Sequence, residues 1–263
     1  MAEAVPAAGD GDRRLRHPAS YFDLLEALNR EGCAICRLAV AATDRYLDNW
    51  VYEAFTDSGN RELLVRAGGF CTTHTWAVAR PHATFQLAVA YRSVLLAAAQ
   101  VRAIGSAEES GREGVMGRRG WWQRLFGCRR HTGQRAGAAA EREAAARWRI
   151  CPACYIRMEQ EDRVLMAFAQ TCGEPEVQEA FMHSSGFCLI HFRAARRACA
   201  AMQPASVLAW LDEAQRTCIQ RIVAQLDELI RKHDYRFSDE PRGEEVHAWR
   251  LAAELVAGCR GMW

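Results

Sequence analysis

The sequence lacks any uninterrupted apolar stretch of the roughly 18 residues that a membrane-spanning helix requires. Its N-terminus also lacks the apolar core of a secretory signal. We therefore expect a cytoplasmic protein with no transmembrane segment. The formal net charge is only +2 at pH 7, so binding to nucleic acid or to a membrane would have to depend on a local patch of charge.

Sequence motifs typical of enzymes are absent as well. No segment matches the GxSxG nucleophile turn, the Walker phosphate loop, the GxGxxG dinucleotide loop or the HExxH zinc motif. Enzymatic activity is therefore the less favoured expectation. Proline interrupts helices and occurs only seven times in 263 residues, whereas Ala, Leu, Arg and Glu are frequent. This composition predicts an all-α fold.

Cysteine is abundant, with eleven residues. In a cytoplasmic chain these do not indicate a disulfide framework, and an odd number cannot pair completely. Six of them belong to a CxxC and CxxH signature that occurs twice. Its members are Cys33, Cys36, Cys71 and His74 in the first half, and Cys151, Cys154, Cys188 and His191 in the second half. Among the others, Cys199 and Cys218 lie in predicted helices, where we expect buried, inert thiols.

Each signature supplies three thiolates and one imidazole, which are the ligands of a closed tetrahedral metal site. The His of each CxxH follows its Cys by three residues, so one helical turn places both side chains on the same face. We predict two metal ions, in the first place zinc, each bound by a CxxC and the CxxH that follows it. The sequence also allows the exchanged pairing, in which the CxxC of one half joins the CxxH of the other.

Sites of this kind are structural, because four protein ligands leave no open position for water or substrate. Two alternatives remain for the same residues. One is an iron–sulfur cluster held by three Cys and one His. The other is thiol–disulfide redox chemistry at the CxxC pairs, which leaves the matching CxxH motifs unexplained.

The predicted helices around the two signatures follow the same order. This order indicates two pseudo-repeats of a helical unit, each clamped by a Cys3His metal site. A final helix is expected over 246–256, and its inward face would comprise Trp249, Leu251, Leu255 and Val256. The predicted segments are a disordered N-terminal lead-in at 1–18, a first helical metal-binding repeat at 19–104, a flexible basic insert at 105–137, a second helical metal-binding repeat at 138–233, and a C-terminal tail and helix at 234–263.

The predicted insert at 105–137 carries seven Arg and three Glu around Trp121 and Trp122. Arginines interleaved with tryptophans could bind the phosphates and bases of nucleic acid. They could also lie on an anionic membrane surface, or the segment could be a solubilising linker.

The paired CxxC and GFCxxH motifs, the segment 232–236 and the closing helix around Trp249 resemble a bacterial family of uncharacterised proteins known as a domain of unknown function. The resemblance covers nearly the whole chain except the lead-in and the basic insert. It implies no activity. The favoured function is a non-catalytic, metal-stabilised interaction or regulatory protein, whose partner is most simply another protein.

Overall fold

The computed structural model describes residues 19–104, 150–237 and 239–262. The predictions for the lead-in, for the basic insert and for 138–149 concern residues outside these ranges, so they stay predictions.

Within the described ranges the chain has ten α-helices, four short 3-10 helices and no β-strand, which confirms the all-α class. The α-helices are α1 (Ala19–Leu28), α2 (Ala34–Tyr52), α3 (Ser58–Ala67), α4 (Thr72–Val78), α5 (Thr84–Ile104), α6 (Pro152–Thr171), α7 (Pro175–His183), α8 (Leu189–Met202), α9 (Ala205–Arg231) and α10 (Ala248–Ala257). The 3-10 helices are Ala54–Thr56, Pro81–Ala83, Tyr235–Phe237 and Glu244–His247. None of the described helices has both the length and the apolar character that crossing a bilayer requires.

Local sequence explains where helices begin and end, as α3 illustrates. The Asp57 side chain accepts a hydrogen bond of 2.8 Å from the backbone N–H of Asn60, which caps the first turn. The helix ends at Gly68, whose φ of +75° is left-handed. Glycine adopts this conformation without a side-chain clash, so it commonly terminates helices.

The predicted inward face of the last helix is wrong in part. In α10, Trp249 and Val256 are 62% and 63% exposed, whereas Ala248 is fully buried. Successive helix residues point about 100° apart, so a helix that turns Ala248 towards its neighbours turns Trp249 away from them.

The chain divides into two compact units. The first comprises Met1–Tyr46 and Ile156–Trp263, and the second comprises Leu47–Tyr155. The divisions fall inside α2 and α6. The predicted repeats were inferred from similarity between two stretches of sequence. The division into two units does not test them, so they stay a prediction.

Three phenylalanine rings form the centre of the first unit. Phe168, Phe181 and Phe187 are completely buried, and their ring centroids lie 4.8 to 5.7 Å apart. Burying a side chain of this size contributes about 1.5–3 kcal/mol through the hydrophobic effect. The ring cluster therefore fixes the ends of α6 and α7 against the turn that precedes α8.

The chain contains the string Gly-Phe-Cys twice, and the phenylalanine of the other copy, Phe70, is buried in the second unit. Phe70 is buried and packs edge-on against the buried Trp50, with 5.2 Å between ring centroids. The glycine before each of the two phenylalanines is left-handed, with φ of +104° at Gly69 and +74° at Gly186. The shared string therefore makes a tight turn that buries the phenylalanine and delivers the following cysteine to the start of a helix.

We predict that Gly186→Ala destabilises the protein more than Gly68→Ala, although the two glycines have nearly equal φ values of +74° and +75°. A Cβ at position 186 would lie 2.9 Å from Gln215 Oε1 and 3.0 Å from Cys218 Cβ, whereas at position 68 it would meet nothing within 4 Å. Both changes cost about 1–2 kcal/mol for the left-handed backbone. Gly186→Ala adds about 1–3 kcal/mol for overpacking.

Urea denaturation of both variants measures this difference. Equal losses of unfolding free energy would contradict the packing account of Gly186.

Candidate metal centres

The structure brings all eight predicted ligands together in two groups that could each hold a metal ion. Cluster 1 consists of Cys33, Cys36, Cys188 and His191, and cluster 2 consists of Cys71, His74, Cys151 and Cys154. In each cluster the ligand atoms all lie within 4.8 Å of one another.

This grouping shows that the predicted pairing was wrong, because neither CxxC lies with the CxxH that follows it in the sequence. The first CxxC meets the second CxxH, and the second CxxC meets the first CxxH. This is the exchanged pairing that the sequence also allowed. Spacing along the chain could not decide the matter, because both CxxC motifs and both CxxH motifs offer the same ligand types.

Cluster 1 is buried throughout. The Sγ atoms of Cys36 and Cys188 lie 3.7 Å apart. His191 directs Nδ1 towards all three sulfurs. The Nδ1 to Sγ distances are 3.6 Å to Cys33, 3.2 Å to Cys36 and 3.2 Å to Cys188.

Two helix N-termini meet at cluster 1. Cys33 precedes α2 and its carbonyl accepts a hydrogen bond of 3.1 Å from the N–H of Arg37. Cys188 precedes α8 in an extended conformation, and its carbonyl accepts one of 2.8 Å from the N–H of Phe192. Each helix therefore presents two ligands in its first turn. The positive end of a helix dipole also favours the thiolate form of cysteine.

Cluster 2 has the same ligand types as cluster 1 but is less buried. His74 and Cys151 are buried, and Cys71 and Cys154 are half-buried. The Sγ atoms of Cys71 and Cys154 lie 3.6 Å apart, and His74 again faces the sulfurs through Nδ1. The Nδ1 to Sγ distances are 3.2 Å to Cys71, 3.5 Å to Cys151 and 3.4 Å to Cys154.

Contacts between the thiols of each cluster shift their pKa values in opposite directions. In cluster 2, a hydrogen bond from Cys154 lowers the pKa of Cys151 to about 3, against the effect of burial and with help from His74. The same hydrogen bond raises the pKa of Cys154. In cluster 1, hydrogen bonds from Cys33 and Cys36 lower the pKa of Cys188. A bound metal cation would displace the thiol protons, because thiolates are the metal-binding form.

Around His191 lies a buried ion pair. Burial opposes protonation of this imidazole, but hydrogen bonds to Cys188 and Cys33 and the nearby Glu161 carboxylate raise its pKa to about 12. Glu161 Oε2 lies 4.0 Å from His191 Nε2, and the same carboxylate pairs with Arg157. This separation is longer than a direct hydrogen bond, so the carboxylate acts on the imidazole through its charge. Proteins often orient a metal-binding histidine with a carboxylate on its second ring nitrogen.

His74 in cluster 2 has a different environment. Its Nε2 is buried and has no hydrogen-bond partner among the described residues. The hydroxyl of the adjacent Thr75 donates a hydrogen bond of 3.0 Å to the Phe70 carbonyl and shares one of 2.7 Å with the Tyr91 hydroxyl. The two clusters therefore share their ligand set, and among the described residues the difference is the Glu161 carboxylate 4.0 Å from His191 Nε2.

One further thiol at cluster 1 escaped the sequence analysis. Cys259 follows α10, shares a hydrogen bond with Cys36 that lowers the pKa of Cys259, and lines a cavity together with Cys33 and Arg37. It is half-buried. No spacing in the sequence links it to a CxxC or CxxH motif, and its residue type was the only signal available.

The sequence profile of the "Family of unknown function (DUF6062)" matches residues 21–259. A relative from Caldicellulosiruptor sp. (strain Rt8B.4), described as an uncharacterized 23.9 kDa protein in the xynA 3' region, is 22% identical over 237 residues. The aligned region covers 89% of this chain and 99% of the relative. No solved structure matches the chain. These matches confirm the resemblance to a bacterial family of unknown function.

We predict that Glu161→Gln costs about 3 kcal/mol of unfolding free energy, because it removes the charge partner of a guanidinium that is largely out of water. The side chains of Arg157 and Glu161 are 12% and 4% exposed. The matched control is Glu159→Gln, which breaks the Arg163 pair on the same helix and at the same spacing. There the side chains are 57% and 49% exposed, so the expected cost is below about 1 kcal/mol.

Chemical denaturation compares the two variants directly. Similar small losses of unfolding free energy from both variants would show that the Arg157–Glu161 pair near His191 contributes little to stability.

Proposed function

This chain belongs to the Family of unknown function (DUF6062), and from its two clusters we propose that it is a non-catalytic, zinc-stabilised helical protein with an interaction or regulatory role. The observation that carries the proposal is the grouping of three cysteines and one histidine twice, with all four ligand atoms of each group within 4.8 Å of one another.

The interatomic distances favour a single ion in each cluster. Tetrahedral zinc with Zn–S bonds of about 2.3 Å and Zn–N bonds of about 2.0 Å places two sulfurs about 3.8 Å apart, and sulfur about 3.5 Å from nitrogen. The measured Sγ to Sγ distances are 3.6 and 3.7 Å, and the Sγ to Nδ1 distances run from 3.2 to 3.6 Å. These distances are close to those of a tetrahedral zinc site, which supports zinc as the proposed ion.

An iron–sulfur cluster is the alternative, and the same distances weigh against it. The four ligands of such a cluster are divided among two or more iron atoms. Ligands of different irons lie farther apart than ligands of one ion, whereas all four ligand atoms here lie within 4.8 Å of one another. Thiol–disulfide redox chemistry, the other alternative, uses two thiols and gives no role to the imidazole that contacts every sulfur in each cluster.

A structural ion suits this chain because it joins segments that are far apart in sequence. Cys36 and Cys188 are 152 residues apart, and Cys71 and Cys154 are 83 residues apart. Closing such loops costs conformational entropy. Zinc binding offsets this cost, since the sites form only in the folded chain and the binding free energy becomes folding free energy.

The same ligand sets support a non-catalytic role. Four protein ligands complete the tetrahedral coordination of zinc, and no position is left for a water or a substrate. We propose that the clamped helices serve as a scaffold for contacts with another protein. Binding of nucleic acid or of an anionic membrane through 105–137 stays a prediction, since those residues lie outside the described ranges.

Metal analysis of anaerobically purified protein tests the proposal. We expect a colourless protein with two zinc ions per chain. Cys71→Ser should lose one ion and destabilise the fold by more than about 3 kcal/mol, which is the upper end of the cost of leaving one buried polar group unpaired. The control is Cys218→Ser, which changes a buried thiol outside both clusters and should keep both ions. A brown protein containing iron and sulfide, or Cys71→Ser protein with unchanged stability, would contradict the proposal.

A further inference from the structure

A third pair of cysteines lies outside both clusters. Cys172 directly follows α6, Cys199 lies in the C-terminal part of α8, and their Sγ atoms are 3.2 Å apart. Both side chains are completely buried. No histidine or carboxylate completes a metal site around them among the described residues, so a different chemistry must be considered for this pair.

The backbone around the pair is held on both sides. The N–H of Cys172 donates a hydrogen bond of 2.8 Å to the Phe168 carbonyl, which closes the last turn of α6. The Gln203 side chain, just after α8, donates hydrogen bonds of 2.8 and 3.2 Å to the carbonyls of Ala169 and Gln170. These contacts fix the end of α8 against the end of α6, and the two sulfurs face each other across that junction.

We propose that Cys172 and Cys199 are a modification site, at which a small hydroperoxide converts the two thiols into a disulfide that links α6 to α8. A disulfide requires about 2.05 Å between the sulfurs, so the present 3.2 Å leaves about 1 Å of movement, within reach of side-chain adjustment. The inference is independent of the proposed metal sites.

The pKa values of the two thiols shift in opposite directions, and this difference assigns their roles in the reaction. The hydrogen bond from Cys199 lowers the pKa of Cys172, and the same contact raises the pKa of Cys199. Cys172 is the more readily ionised of the two thiols and is assigned the first attack, because thiolates are the nucleophilic form.

The reaction takes place in two balanced steps. The Cys172 thiolate attacks one oxygen of hydrogen peroxide, the O–O bond breaks, and hydroxide leaves as the sulfur becomes a sulfenic acid. The Cys199 sulfur then attacks the sulfenic sulfur, its proton and the sulfenic hydroxyl leave as water, and the S–S bond forms. In sum, two thiols and one peroxide give one disulfide and two waters.

Burial determines which oxidants can take part. Both sulfurs are completely covered, so the oxidant must be close to water in size or must wait for a local opening of the helix ends. Hydrogen peroxide meets the first condition. The same cover should make the product resistant to external reductants.

Peptide mapping of the metal-loaded protein tests the proposal, with hydrogen peroxide as the oxidant. After treatment the protein is unfolded, free thiols are alkylated, and the chain is cut with trypsin and a glutamate-specific protease, which separates Cys172 from Cys188 at Glu176 and Glu179. We expect one linked pair of peptides that contains Cys172 and Cys199 and lacks both thiol hydrogens, while the zinc content stays the same.

The controls use single variants. Cys199→Ala should leave Cys172 as a sulfenic or sulfinic acid and abolish the linked peptides. Cys218→Ala, which removes a buried thiol held against the Phe181 carbonyl, should leave the link intact. Recovery of Cys172 and Cys199 as separately alkylated peptides from oxidised wild-type protein would overturn the proposal. A link from Cys172 to any other cysteine would also overturn it.

Discussion

The structure depends on one local arrangement, in which two helix N-termini meet with four ligands between them. One N-terminus carries a CxxC and the other a CxxH, and this arrangement occurs at α2 with α8 and at α4 with α6. Each cysteine or histidine lies in or just before a first helical turn. The helix dipoles favour the thiolate form of the cysteines, and thiolates at such short separations could hold a cation at the centre.

The exchanged pairing has a consequence for how the chain folds. Neither half of the sequence contains a complete set of ligands that the structure brings together, because each cluster takes its CxxC from one half and its CxxH from the other. Cluster 2 cannot form before the chain reaches Cys154, and cluster 1 cannot form before His191. Metal binding at the proposed sites would therefore be a late, long-range step that joins segments whose loop closure is entropically costly.

The sequence predicted the helical class and the eight cysteine and histidine residues that gather in the two clusters, because both depend on local patterns. The CxxH spacing places Cys71 and His74 on one helical turn, and in the structure Cys71 Sγ lies 3.2 Å from His74 Nδ1. The sequence could not predict the pairing, since the two signatures carry the same ligand types at nearly the same spacing. It also missed Cys259 beside Cys36, and the contact of Cys172 with Cys199, since these contacts arise from packing between distant segments. Trp249 was assigned to the wrong side of α10 because an amphipathic pattern fixes a face only to within about one residue, or 100°.

Zinc stoichiometry in two double variants tests the central claim most directly. If the exchanged pairing is right, Cys36→Ser with His191→Ala disables one cluster and leaves one zinc ion per chain, whereas Cys36→Ser with His74→Ala disables both clusters and leaves none. The opposite result, with one ion retained in the Cys36 and His74 variant and none in the Cys36 and His191 variant, would show that each CxxC binds metal with the CxxH of its own half, and would contradict this account.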